Sequence, residues 1–199
     1  MKKKTVMLVA AIAMILCLAV GGTLAYFTDT DTKTNTFTLG NVAIDLVEEN
    51  WEKPETVEPG IAYAKDPMVK NTGANDAYIR LDVTVSDYEA FVKACAKHEI
   101  TELESIFGGY DNHWERYAKN NGTYSYLWSD EEGKPLAVTK DEHTGYIFKT
   151  VTIPACFDND DLKSLGKDFT ITVKAFAIQA NADDQADVIA ELKAMTAEE

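Results

Sequence analysis

Residues 77–86 read AYIRLDVTVS, and they carry the clearest strand pattern in this chain of 199 residues. Two sets of side chains alternate along the stretch, one apolar and one largely polar: Ile79, Leu81, Val83 and Val85, against Tyr78, Arg80, Asp82 and Thr84. A period of two places the two sets on opposite faces of a strand. The stretch therefore predicts a strand whose apolar face lies in a core.

Further strand patterns flank this stretch on both sides. They occupy residues 36–47, 61–70, 123–129, 145–154 and 168–180. Gly40-Asn41 interrupts the first as a bulge or tight turn, and Pro67 restricts the second to a sheet edge or a bulge. Turns are predicted at 59–60, 71–73 and 131–134, and helices from 87 to about 98 and at 102–107, 160–165 and 182–195.

About six to eight strands joined by short turns are typical of an antiparallel β-sandwich. The sequence accordingly predicts a mainly β protein with short helical insertions and a C-terminal helix. No repeat or low-complexity linker divides the chain after its N-terminal segment, so residues 26–199 are predicted to form a single domain.

The chain is acidic, with 33 aspartates and glutamates against 19 lysines and arginines and a net charge of −14. Nucleic-acid binding needs a basic surface against the phosphates, so this class of function is excluded. The sequence also lacks a G-x-S-x-G nucleophile motif, a P-loop and a dinucleotide-binding glycine pattern. We therefore expect neither a cofactor nor an enzymatic activity.

The first 25 residues are organised like a secretory signal peptide. A basic start is followed by 15 uninterrupted apolar residues at 6–20. Thr23 and Ala25 supply the small side chains expected before a cleavage site, and Tyr26 is the first residue after it. As a helix the apolar run spans about 22 Å, less than the roughly 30 Å of a hydrocarbon core. An uncleaved anchor extending to Phe27 is the alternative.

One short motif touches on metal chemistry. The run His98-Glu99-Ile100-Thr101-Glu102 begins like the zinc helix H-E-x-x-H but has glutamate in place of the second histidine. On a helix His98 and Glu102 would lie one turn apart, which makes them weak candidate ligands. No third ligand follows at a recognisable spacing, and partly exposed histidines at helix ends and turns explain the pattern equally well. No metal is predicted.

Two cysteines lie after the signal segment, Cys95 and Cys156. A disulfide between them is permitted outside the cell and would close a long loop. Two separately buried thiols are the alternative, because a single pair gives no spacing framework. Cys17 belongs to the apolar run, and Leu16 before it is larger than the residue that normally precedes a lipidated cysteine.

Several segments resemble the camelysin/TasA family, exported proteins of Gram-positive bacteria that a SipW-type signal peptidase processes. The N-terminal ones are the cleavage region GGTLA at 21–25, the aromatic, threonine and aspartate at 26–29, and the strand at 37–46. Others are Pro59-Gly60, VKNTG at 69–73, YIRL at 78–81 and AFAIQA at 175–180. The resemblance spans most of the chain and is looser through residues 87–160.

The resemblance implies a jelly-roll-like sandwich that is secreted to the cell surface or the biofilm matrix. It also implies fibres in which each subunit donates its N-terminal arm, residues 26–38, to the sheet of a neighbour. Phe27, Phe37 and Leu39 would then fill pockets on the acceptor. Partners would be further copies or related matrix subunits and the signal peptidase, with membrane contact only through the signal segment before cleavage.

Two other functions stay open. The protein could be a monomeric surface adhesion or accessory module whose arm completes its own sheet. It could also be a metallopeptidase, as camelysins have been classed, although no zinc-protease motif is present. Fibres of one kind of subunit and fibres that need an accessory subunit are both compatible with the sequence.

Overall fold

The computed structural model describes residues 42–51, 54, 56–101, 103–166, 169–180 and 185–195. The predicted signal segment, the arm at 26–38 and the bulge at Gly40-Asn41 lie outside the described residues. All of the described residues fall in one compact unit that covers residues 40–199. Within this part of the chain no helix is both long and apolar enough to cross a bilayer.

Strands dominate the described part of the chain. They are β1 (Ile44–Glu48), β2 (Ala62–Ala64), β3 (Pro67–Asn71), β4 (Ala77–Val85), β5 (Phe107–Gly108), β6 (Trp114–Asn120), β7 (Thr123–Trp128), β8 (Ala137–Val138), β9 (Thr150–Thr152) and β10 (Ile171–Gln179). The helices are α1 (Tyr88–Lys97), α2 (Asn159–Ser164) and α3 (Gln185–Ala194), with a 3₁₀ turn at Leu103–Ile106.

The strands form three antiparallel sheets. The largest has the order β10-β4-β7-β6, and β8 also pairs with β4. β10 runs along β4 from Ala77 to Val85, while β7 and β8 share its other edge. The two smaller sheets are β1-β3 and β2-β9-β5. The prediction of a mainly β, antiparallel fold with short helical insertions and a C-terminal helix is thus confirmed, whereas the jelly-roll arrangement stays a prediction.

The predicted strand at 77–86 is the centre of the main sheet. Its apolar set, with Ala77, is 0 to 2% exposed and packs into the main core. That core also receives Val69 from β3, Phe91 from α1 and Val151 from β9. The main sheet therefore shares one core with both smaller sheets and with α1.

The opposite face of β4 is covered as well, by helix α3. Tyr78 and Leu127 from the sheet form a second cluster with Ile189 and Leu192 from α3. Arg80 is 5% exposed because its guanidinium reaches the end of this helix. Its Nη1 donates to the carbonyl oxygens of Leu192 and Met195, both at 2.8 Å, and its Nε donates to Asp82 at 3.0 Å. The largely polar face of β4 is thus partly buried.

Two predicted strands are wrong in extent. The stretch 61–70 forms β2 and β3 in different sheets, because the chain changes sheet at Lys65 and Asp66, which pair with Glu48 and Asn50. The stretch 145–154 contains only the short strand β9. Its earlier backbone amides donate to separate segments, Ile147 to Pro67 and Lys149 to Gly108, so no continuous ladder forms.

Three strands were not predicted, β5, β6 and β8. β5 and β8 have two residues each, too few for a periodic signal. β6 carries exposed charged side chains on a sheet edge and therefore lacks an apolar face along most of its length. The helices lie close to their predicted positions, and α1 begins after Asp87 as expected. Asp87 itself has a left-handed φ of 47°, and its side chain caps no helix amide.

Candidate functional site

The end of α1 meets the start of α2 in a cluster of four charged or titratable side chains. We call this cluster the clasp, and its members are Lys97, His98, Asp158 and Asp161. Asp158 begins α2 with a capping box: its Oδ1 accepts from the amides of Asp160 and Asp161, and Asp161 Oδ2 accepts from the amide of Asp158. This reciprocal cap holds both carboxylates in fixed positions.

Side chains from α1 complete the clasp. Lys97 Nζ donates to Asp158 Oδ2 at 2.7 Å and to Asp161 Oδ1 at 3.0 Å. His98 Nε2 lies 2.8 Å from Asp161 Oδ2. The side chain of Asp161 is only 6% exposed, whereas that of Lys97 is 47% exposed. The clasp therefore buries one carboxylate and leaves its cation at the surface.

Electrostatic interactions in the clasp favour the ionised forms of its two carboxylates and of Lys97. The hydrogen bond with His98, the backbone amide of Asp158 and the ammonium of Lys97 hold the pKa of Asp161 well below its usual range, against the opposing effect of burial. Lys97 likewise lowers the pKa of Asp158, and the two carboxylates raise the pKa of Lys97. The pair of carboxylates is thus already neutralised in part by the protein's own ammonium.

The clasp is also the one group in the described residues with three candidate metal ligands close together. Ligand atoms of His98, Asp158 and Asp161 lie within 4.8 Å of one another. However, every carboxylate oxygen in the group already accepts a hydrogen bond. The ammonium of Lys97 contacts both carboxylates, as a bound metal ion would. A catalytic zinc needs three free ligands and an open fourth position. The residues present do not fit such a centre.

The ligand pair proposed from sequence is only half described. α1 ends at Lys97, His98 has non-helical dihedral angles, and Glu99 has a left-handed φ of 58°. The helical turn that would bring residues 98 and 102 together therefore does not continue past residue 97. Glu102 lies outside the described residues. The predicted cleavage residues Thr23, Ala25 and Tyr26 and the predicted donor residues Phe27, Phe37 and Leu39 also lie outside them.

Both cysteines that follow the predicted signal segment are described, and both are free thiols. Cys95 is fully buried on α1 and Cys156 is exposed, shortly before the clasp residue Asp158. Burial, with a smaller contribution from the charge of Cys156, raises the pKa of Cys95 to about 11. The two thiols therefore differ strongly in access to solvent and in reactivity at neutral pH.

A second feature is the outer edge of the main sheet at β10. One edge of β10 pairs with β4 along its whole length, and among the described residues no strand pairs with the other. Its core-facing side chains are only half-buried, although the β4 residues opposite them are fully buried. They are Ile171, Val173, Ala175 and Ala177. This edge is apolar and incompletely covered.

The opposite edge of the same sheet has a different character. β6 presents exposed Glu115, Arg116 and Lys119 along its seven residues. Charged side chains on an edge strand discourage pairing with another chain. Of the two edges, β10 is therefore the one suited to accept an added strand.

The sequence reasoning missed the carboxylates of the clasp and the partner that Lys97 provides. A signal for the clasp was present, because Asp158 is of a residue type favoured at N-cap and Asp161 supplies an acidic side chain at N3, as in a capping box. No sequence pattern could have paired it with α1, since 61 residues separate Lys97 from Asp158.

One protein family matches the N-terminal part of the chain. Its model, described as camelysin metallo-endopeptidase, covers residues 1–94. This region includes the predicted signal segment and arm, strands β1 to β4 and most of α1. No curated protein and no solved structure matches the chain.

Proposed function

Since the match over residues 1–94 supports assignment of the chain to the camelysin family, we propose that it is an exported structural protein of the cell surface or biofilm matrix. Copies assemble into fibres when the arm of one subunit, residues 26–38, adds a strand to the β10 edge of the next. The observation that carries this proposal is the half-buried apolar outer edge of β10, which pairs with no strand among the described residues.

The dimensions of arm and edge are compatible. At roughly 3.3 Å per residue, the 13 residues of the arm reach about 43 Å when extended. The nine residues of β10 span about 30 Å at the same rise. The arm is therefore long enough to cover the edge and still connect two subunits.

The chemistry of the edge also favours a strand as its occupant. Backbone hydrogen bonds supply the affinity when a strand is added, and alternate side chains fill pockets on the acceptor. Ala175 and Ala177 are small, so the core-facing side of the edge leaves room for larger side chains from a donor. Phe27 near the start of the arm, and Phe37 and Leu39 near its end, are such side chains. Because Phe27 and Phe37 lie about 33 Å apart in an extended arm, only one of these two groups faces β10 at a time. Before cleavage, the membrane-held signal segment keeps the arm from reaching a neighbour.

The first experiment compares protein beginning at Tyr26 with protein lacking residues 26–38, by negative-stain microscopy and light scattering. Fibres from the first protein and monomers from the second support strand donation. Monomers from both, at high concentration, would contradict it and favour the surface module. In that case deletion of the arm should lower the thermal midpoint, because the arm completes its own sheet.

A second experiment tests the acceptor edge directly. Val173→Lys places an inward-facing charge on β10, a device that blocks strand addition. Ala118→Lys places the same charge on β6, where the side chain is already exposed. We expect Ala118→Lys to form fibres and Val173→Lys to remain a folded monomer. Circular dichroism reports the folding of each variant, and light scattering reports its assembly. Equal fibre formation by both variants would exclude β10 as the acceptor.

A peptidase is the second candidate, and the description of the matching family as a metallo-endopeptidase is the observation that favours it. The clasp does not fit a catalytic zinc, so it does not supply a centre for metal-dependent cleavage. Elemental analysis of the purified protein and cleavage of casein with and without a chelator discriminate the two functions. Chelator-sensitive cleavage by protein carrying one metal per chain would favour the peptidase.

A further inference from the structure

Two cysteines border the contact between α1 and the turn before α2. Cys95 lies four residues after Phe91, a spacing that places both on one side of α1, and three residues before His98, which directly follows the helix. Cys156 lies in the turn closed by the amide of Phe157, which donates to the carbonyl of Pro154 at 3.0 Å. Both cysteines therefore belong to segments that pack on each other.

Phe157 defines how close these segments come. Its ring centroid lies 6.2 Å from that of Phe91 and 5.7 Å from that of His98, with the histidine ring stacked on it. Cys95 lies between these two ring partners in the sequence, on α1, and Cys156 is the residue next to Phe157. The clasp fixes the same junction as well, through the contacts of Lys97 and His98 with Asp158 and Asp161.

We propose that Cys95 and Cys156 form an intramolecular disulfide in the exported protein, in which Cys156 reacts first and Cys95 resolves the intermediate. The bond ties α1 to the turn that precedes α2. This inference depends on export to an oxidising environment and not on fibre formation.

The oxidant belongs to the class of small-molecule or protein disulfides, written RSSR. The thiolate of Cys156 attacks one sulfur of RSSR, a mixed disulfide forms, and the first thiol RSH leaves with the proton of Cys156. Cys95 then gives up its proton and attacks the Cys156 sulfur, so that the second RSH leaves. Two protein thiols are oxidised, and one external disulfide is reduced to two thiols.

The order of the two steps follows from exposure. Cys156 is exposed and can meet a dissolved disulfide, whereas Cys95 is 0% exposed and cannot. The buried thiol is also rarely ionised at neutral pH, since its pKa is about 11. Its attack becomes effective only on a sulfur held beside it, which is the situation in the mixed disulfide at Cys156.

The test uses the exported protein from cells that express the full chain. The protein is alkylated without reduction, digested and analysed by mass spectrometry. A second sample is first reduced, freed of reductant and incubated with oxidised glutathione. We expect a peptide linking Cys95 to Cys156 in both samples. The proposal would be overturned if Cys95 and Cys156 were each found alkylated in the two samples.

Two variants test the order of reaction, with circular dichroism as the check of folding. Cys95→Ala should accumulate one glutathione adduct at Cys156, because the resolving thiol is missing. Cys156→Ser, which changes an exposed side chain, should leave Cys95 unmodified by oxidised glutathione. A stable glutathione adduct at Cys156 in the wild-type protein would overturn the proposal. An adduct at Cys95 in folded Cys156→Ser would overturn the proposed order.

Discussion

Asp161 shows how one carboxylate can join two helices. It caps the start of α2 and accepts hydrogen bonds from residues at the end of α1, and its side chain is almost completely buried. Its depressed pKa means that the folded state favours the ionised form. A carboxylate of this kind stabilises the protein above the pKa that it has in the unfolded chain.

We expect Asp161→Asn to lower the urea midpoint at pH 7. The reference pKa of an unfolded aspartate is about 3.9, and the stabilisation fades as the pH falls below it toward the lower folded-state pKa. The difference between wild type and variant should therefore be constant above about pH 5 and shrink on acidification. Urea titrations at pH 7 and pH 3 measure this difference.

Asp160→Asn is the matched control for this experiment. It changes a neighbouring aspartate of α2 whose side chain is 88% exposed and lies 3.4 Å from Lys163. Exposed ion pairs contribute little, so this variant should unfold like the wild type at both pH values. An equal loss of stability in both variants would contradict a special role of Asp161.

At the scale of elements, the hairpin of β6 and β7 shows what the sequence could have revealed. Asn121 and Gly122 have φ values of 43° and 86°, the pair of left-handed residues that a type I′ turn needs. An Asn-Gly pair between two strand-forming runs is a strong hairpin signal, and it predicts a strand before Thr123. β6 was nevertheless not predicted as a strand, because its charged edge residues show no apolar alternation.

Gly122 gives a prediction for this hairpin. A side chain there would suffer from the positive φ, and its Cβ would lie 2.8 Å from Cβ of Tyr88. Gly166 has a similar φ of 77°, but a Cβ added there would meet no heavy atom within 4 Å, so Gly166→Ala isolates the backbone effect. We expect the positive φ alone to lower the free energy of unfolding by about 1–2 kcal/mol in either variant. Urea titrations should show a larger loss for Gly122→Ala. Equal losses would contradict crowding by Tyr88.

The contrast between β4 and residues 145–154 explains where strand prediction worked and where it failed. β4 has strand partners on both sides, so its alternation reflects two regular ladders. Residues 145–149 are rich in apolar side chains, and Ile147 and Phe148 are fully buried. Their backbone partners lie in separate segments, and such long-range pairing leaves no trace in local periodicity.

Arg80 gives a prediction for helix α3. Replacing it by methionine leaves Asp82 without its buried cation and leaves the carbonyls at the helix end without a donor. Breaking a buried pair in this way costs roughly 3–5 kcal/mol. We expect hydrogen exchange in residues 185–195 to accelerate in Arg80→Met. Lys119→Met, on the distant edge strand β6 and exposed, should leave this exchange unchanged; a comparable acceleration there would contradict the role of Arg80.

For the whole molecule, the acidic composition bears on assembly. Residues 26–199 contain 33 aspartates and glutamates against 16 lysines and arginines, a net charge of −17. Identical subunits therefore repel each other, and the proposed fibres would have to form despite this repulsion. Salt shortens the range of the repulsion, with a Debye length of about 30 Å at 0.01 M and about 8 Å at 0.15 M. We expect fibres to grow faster, by light scattering, as sodium chloride rises over this range. Slower growth would show that attractive charge pairs, and not backbone pairing, drive assembly.

The guanidinium of Arg80 also fixes the position of the C-terminal end of α3. It donates to the carbonyls of Leu192, Lys193 and Met195, so the helix must present these three positions to a fixed point on the sheet. One residue inserted into α3 would turn its last carbonyls by about 100° and move them about 1.5 Å along the axis. Arg80, more than a hundred positions upstream on β4, thus limits the length of α3. It also limits where a protein fused after this helix would begin.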